Sequence, residues 1–126
     1  RRHDLGKFCS NPVHIVLAKH VEYEPDLCFI AKDRLPKSDF AKFDGPPDLI
    51  IEVISESNRK HDEVTKSRHY ELYGVREYWL VDLTKEQIQV WFLEGGRYVS
   101  LGIFKRDERV ITRVLEGLTL DPAQVF

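Results

Sequence analysis

Methionine is absent from the 126 residues, and cysteine occurs only twice, at Cys9 and Cys28. That spacing fits no zinc pattern, so a reducing compartment is the simplest expectation. Cys28, set in an apolar run, reads as a small buried thiol. No apolar stretch approaches the length needed to span a bilayer, and the first residues lack the apolar core of a signal peptide. A cytoplasmic location without a membrane partner is the default expectation. Neither sign of charge dominates: 19 Lys and Arg face 21 Asp and Glu, for a formal net charge of −2. Any nucleic-acid partner would have to be met by a local basic patch, because the global field does not attract phosphate. Repeats and low-complexity tracts are missing too. With no initiator methionine at Arg1, the chain is expected to be a trimmed version of something longer.

What is present is ordinary globular material, 42% hydrophobic and 32% charged with the signs mixed along the length, enough for one compact core and too little for two. Pro12 to Leu17 and Pro25 to Ala31 (PDLCFIA) are short, branched runs that predict strands. Lys32 to Gly45 is polar and broken by Pro36, Ser38, Asp39 and Gly45, which predicts an exposed loop. Asp48 to Ser55 (DLIIEVIS) predicts a buried strand holding one acid, Glu52. Ser57 and Asn58 offer helix-capping side chains, and Asp62 to Tyr73 predicts a helix stopped by Gly74. Glu77 to Leu83, Gln87 to Leu93, Arg97 to Phe104 and Val110 to Leu115 then predict hairpin strands, with one turn of helix near Pro122. The aromatics of the first of these belong in a core. This order points to an α+β or mixed α/β sheet rather than an all-β barrel.

A carboxylate in a strand of Ile and Val is costly to bury unless a cation, hydrogen bonds or water compensate it. Strand alternation puts Asp48, Ile50, Glu52 and Ile54 on one face. Asp48 and Glu52 nevertheless lie roughly 13 Å apart, too far to share one small cation. Antiparallel pairing of PDLCFIA with DLIIEVIS would instead bring Asp26, at the start of the first run, to Glu52, late in the second. Asp62, Lys66 and Tyr70, spaced by four, share a helical face that could be aimed at those acids.

Pro25-Asp26-Leu27, followed 26 residues later by Glu52-Val53-Ile54, resembles the motif of the PD-(D/E)xK nuclease superfamily. The longer string PPDLIIEVISESN, with Asp62, Lys66, Tyr70 and GVREYWLVD, is similar to its restriction-endonuclease branch, Uma2. The resemblance covers most of the chain. It implies a restriction-endonuclease-like mixed sheet with a flanking helix, and a divalent-metal endonuclease acting on DNA. Asp26, Glu52 and Lys66 are then the catalytic residues, and Asp26, Glu52 and the Val53 carbonyl hold Mg²⁺ or Mn²⁺. Asp48, Ser55, Asp62 and Tyr70 are candidates to support that set from behind. The superfamily's lysine two residues after the second acid is replaced by Ile54, and in the branch a helix lysine, here Lys66, takes its role. Related members also carry an acid on a helix before the first strand. Nothing in Arg1 to Val13 clearly supplies it, so the domain is expected to lack that N-terminal helix here.

Two carboxylates, a carbonyl and water form the oxygen-rich shell that Mg²⁺ prefers, and hydrolysis of a phosphodiester is the matching reaction class. Phosphates could be met by Arg59, Lys60 and His61, or by Lys32, Arg34, Lys37 and Lys42. Cutting a duplex favours a homodimer with two-fold symmetry. Plainer readings stand beside these. Asp26 and Asp48 could be strand-entry acids after proline, with Asp48 better read that way. Glu52 could be an edge-strand charge or a salt bridge to Lys66 without metal, and Asp62 with Lys66 a solvated i,i+4 pair. Ser55 is ordinary turn chemistry, and His61 and His69 lack a third ligand for zinc. A nuclease fold that has lost catalysis and serves as a nucleic-acid-binding or assembly module is the alternative function.

Overall fold

The computed structural model describes residues 5–10, 13–37 and 40–115. Nine strands, β1 Gly6–Ser10, β2 His14–Ala18, β3 Val21–Tyr23, β4 Leu27–Ala31, β5 Lys42–Asp44, β6 Leu49–Ile54, β7 Glu77–Asp82, β8 Gln87–Glu94 and β9 Arg97–Lys105, make two sheets among them. The larger has the order β1-β4-β6-β7-β8-β9, and the smaller β3-β2-β5. Between β6 and β7 lies one helix, α1, π-helical over His61–Lys66 and α-helical over Ser67–Leu72. Such a crossover is needed because β6 and β7 are parallel, whereas β4 and β6 pair antiparallel. The fold is the mixed sheet with flanking helix that the residue pattern predicts.

Alternation along the strands produces two apolar layers. Ile50 and Ile54 of β6 with Tyr78 and Leu80 of β7 face α1 and the small sheet, where Ile15 and Phe43 join them. Leu49 of β6 and Trp79 and Val81 of β7 face the other way, in one layer with Ile88 and Val90 of β8 and Phe104 of β9. Each fully buried branched side chain contributes roughly 1.5–3 kcal/mol, so a sheet filled on both faces tolerates a charge only where its partners are fixed. Cys9 and Cys28 are unbridged, buried and directly opposed on β1 and β4, with burial pushing the Cys28 thiol up to about 12.

Several local expectations are corrected. The segment read as an exposed loop contains a 3₁₀ turn at Lys32–Arg34 and then β5, whose Phe43 is buried against the helix-side core. Val110 to Leu115 form no strand; the chain turns back there, and Val110 and Leu115 seal the layer opposite α1. Asn58 does not cap α1: its amide oxygen accepts from the Ser55 N–H at 2.7 Å, closing the turn upstream of the helix. The helix ends as predicted, at Gly74 with φ +89°, where the Val75 N–H reaches the Tyr70 carbonyl at 2.9 Å. The tail around Pro122 lies outside the described residues. Among the described residues, no helix is long and apolar enough to cross a membrane.

Candidate active site

The register of β4 on β6, with Leu27 opposite Ile51, sets Asp26 opposite Glu52 one step beyond the last ladder pair. At that step side chains replace the missing main-chain partners. The Asp26 N–H donates to Glu52 Oε1 at 3.2 Å, and the Val53 N–H donates to Asp26 Oδ2 at 2.7 Å. Each acid is thereby held by the other's strand. A carboxylate offers about four acceptor positions. Glu52 Oε2 takes the Tyr70 hydroxyl at 2.9 Å and the Lys66 ammonium at 3.2 Å. Oε1 takes only the Asp26 N–H, and Asp26 Oδ1 takes no donor among the described residues. The unfilled acceptor capacity of the pair thus lies on its shared, Asp26 side, and Asp26 is exposed.

α1 delivers the other side chains. Asp62, Lys66 and Tyr70 lie along one face of it, and the π-helical stretch, a distortion frequent at functional sites, runs from His61 through Lys66. Lys66 Nζ stands 3.2 Å from Glu52 Oε2 and 3.0 Å from Asp62 Oδ1, with the ring of Tyr23 5.8 Å away. Glu52 is 2% exposed, and burial drives its carboxyl above the ordinary carboxylate range, an effect only partly offset by Lys66, the Asp26 N–H and Tyr70. Burial pulls the Lys66 ammonium down, but Glu52 and Asp62 outweigh it and leave its pKa raised. The Tyr70 hydroxyl, desolvated and beside Glu52, is raised strongly and stays a donor.

The remaining predicted residues fall elsewhere. Asp48 sits at the opposite end of β6, where it accepts from the Ala31 N–H at 2.6 Å and pairs with Arg34 at 3.1 Å, so it anchors the strand entry instead of backing Glu52. The Ser55 hydroxyl bonds to Asn58 and Ser57 in the turn before α1 and does not touch the acids. Of the proposed phosphate contacts, Arg34 is held by Asp48 and the Pro46 carbonyl, and Arg59 by Asp82, Glu56 and Glu63. Lys37, Lys42 and Lys60 are exposed. Tyr23 is a residue that sequence reasoning misses: its hydroxyl lies 2.5 Å from Nδ1 of His69, which is a packing histidine as expected, and its ring meets Tyr70 edge-on at 5.4 Å. Tyr23 comes from a three-residue strand with no periodic signature, so nothing in the sequence pattern marked it.

Among the described residues, no three His, Cys, Asp or Glu side chains are grouped so as to hold a metal ion by themselves. The oxygen set nevertheless suits a hydrated Mg²⁺, which is commonly bound through one or two carboxylates while keeping several waters. The available acceptors, on Glu52 Oε1 and Asp26 Oδ1, are of that kind.

The fold is that of a nuclease-like mixed-sheet domain. The crystal structure of a putative nuclease belonging to DUF820 from Anabaena variabilis ATCC 29413 matches it with a TM-score of 0.77 at 17% identity, covering 97% of this chain and 68% of that chain. The likeness at that identity is one of fold. The chain belongs to the Uma2 family, described as "Putative restriction endonuclease", whose family model matches residues 1–123. At family level, it is a nuclease. A comparison with curated proteins finds no match.

Proposed function

We propose that this chain is a divalent-metal-dependent endonuclease that hydrolyses phosphodiester bonds in DNA. The observation that carries the reading is the convergence of Asp26, Glu52, Lys66 and Tyr70, with unfilled acceptor positions only on the exposed, Asp26 side of the carboxylate pair. Asp26, Glu52 and the Val53 carbonyl would hold Mg²⁺ or Mn²⁺. When bound, that cation supplies a more acidic water and neutralises charge on the phosphate.

The chain's own groups do the rest. Glu52 is fixed by the Asp26 N–H and Tyr70, so its free acceptor position is preset. Lys66, delivered from α1 in place of the residue at Ile54, holds an ammonium at the site to orient the attacking water or stabilise charge on the phosphorane. The exposed side chain of Asp26 leaves the reacting face open to a backbone phosphate. A two-fold dimer would supply a second site for the second strand of a duplex.

The test is cleavage of supercoiled plasmid DNA by the full-length protein with Mg²⁺ or Mn²⁺. Wild type should nick it, and Glu52→Ala and Lys66→Ala should each fall by roughly a hundredfold or more. If DNA and RNA both stay intact under every metal, or Glu52→Ala equals wild type, the endonuclease reading is lost and a nucleic-acid-binding or assembly module takes its place.

A further inference from the structure

Asp62 is a buried carboxylate answered by a single charged neighbour. It is 1% exposed, and neither carboxylate oxygen has a hydrogen-bond partner there. Its one ionic contact is Lys66 Nζ, 3.0 Å from Oδ1. The residue cannot easily turn away. Its N–H donates to the Asn58 carbonyl at 2.9 Å, and its own carbonyl accepts from the Tyr78 hydroxyl at 2.8 Å. A buried carboxylate so placed is costly unless an ion or a donor answers it.

Lys66 is therefore shared unevenly. Glu52 has two other donors, Tyr70 and the Asp26 N–H, whereas Asp62 has none. Any cation taken up at Glu52 would repel the nearby ammonium, which then needs a second counter-ion to stay clear of the cation. Asp62 stands where that counter-ion is needed, one helical turn from Lys66 on the same face.

We propose that Asp62 is a positioning residue: it holds the Lys66 ammonium in the site once Glu52 is engaged by a divalent cation. This rests on the nuclease reading above and deepens it. Asp62 is not a metal ligand in this scheme. Its effect passes wholly through Lys66, because without it the ammonium must stay on Glu52 and compete with the cation.

The experiment is Mn²⁺ binding to the full-length protein by calorimetry, for wild type, E52Q, D62N, K66M and D62N/K66M, each checked for folding by circular dichroism. D62N should weaken Mn²⁺ binding roughly tenfold, the range seen when outer supports of a metal site are removed, while D62N/K66M should bind as K66M does. An equal loss from D62N in the wild-type and K66M backgrounds would mean that Asp62 acts on the cation itself, and would overturn the proposal. So would no loss at all. If wild type takes up no Mn²⁺, or E52Q binds it unchanged, the nuclease reading fails and this falls with it; binding lost in E52Q without coupling between Asp62 and Lys66 sinks this inference alone. Should D62N not fold, lysine-¹⁵N spectra of wild type with saturating Mg²⁺ decide. Lys66 ammonium protons protected from exchange support the proposal, and their loss to solvent overturns it.

Discussion

Two buried glutamates on adjacent strands, Glu52 on β6 and Glu77 on β7, face opposite sides of the same sheet and have been treated in opposite ways. Glu77 is 0% exposed and saturated: Oε1 accepts the Arg113 and Val114 N–H groups at 2.9 and 3.0 Å, and Oε2 accepts Trp79 Nε1 at 2.6 Å and the Thr112 hydroxyl at 2.5 Å. All four donors are neutral, and they tie the segment after β9 to the sheet. Glu52 has three donors, one of them charged, and an acceptor position left open toward Asp26. A carboxylate whose acceptors are all used is a fastener, whereas one with a directed gap can take a ligand.

The same isosteric change should therefore have unequal effects at the two positions, and the larger belongs to Glu77. In Glu77→Gln, an amide NH₂ must face donors that previously met an oxygen, leaving at least one buried polar group unpaired. The expected loss is about 3 kcal/mol in urea unfolding. A loss below about 1 kcal/mol would mean that the 112–114 segment is not fastened by this acid, and the comparison would break.

Next in size is Asp82, at the end of β7, where Arg59 donates at 2.8 Å and the Lys85 N–H at 3.0 Å. Arg59 first, then the Lys85 N–H, hold its carboxyl below the ordinary range despite burial. Because the folded pKa is depressed, the stabilisation is present above the unfolded value of about 3.9 and is lost as pH falls through the folded one. Asp82→Asn should cost about 2 kcal/mol at neutral pH, a difference that shrinks in acid. Urea midpoints for the two proteins at pH 7 and below pH 4 check this, and a gap that widens in acid would contradict the assignment.

How much of this could be read without coordinates depends on how far apart the partners lie. The Asp26–Glu52 pairing was legible in part: Asp26 opens one apolar run and Glu52 interrupts the next, so antiparallel pairing favours them, but the long loop leaves the register open and the choice of Asp26 came with the family resemblance. Lys66 and Tyr70 were singled out by the family resemblance, and i,i+4 spacing added only that they share a helical face. The role of Glu77 was not, since its partners include residues 112–114, a segment whose apolar pattern reads as a strand. β5 was hidden for a related reason: Phe43 is a single apolar residue between charges, and only its burial beside Ile15 makes it a strand. Asp48 and Asp26 both follow proline and look alike locally. Only register assigns one to Arg34 and the other to Glu52.

The smallest expected effect is also the sharpest test of the contrast, because its sign is reversed. In the metal-free protein, burial raises the folded pKa of Glu52 more than Lys66, the Asp26 N–H and Tyr70 lower it. A carboxyl with a raised folded pKa contributes stability that is fully present below the unfolded value of about 4.3 and is lost as pH rises through the folded value. Glu52→Gln removes that loss but also removes the charge that answers Lys66, so with EDTA present at pH 7 the variant should lie within about 1 kcal/mol of wild type. Its stability relative to wild type should rise as pH increases from 4 to 7, opposite in sign to the relative fall of Asp82→Asn, which occurs as pH rises toward about 4. Urea titrations of the three proteins at matched pH values measure both slopes. If Glu52→Gln instead loses as much as Glu77→Gln, then Glu52 is a fastener too, and its open acceptor position is a feature of packing that chemistry does not use.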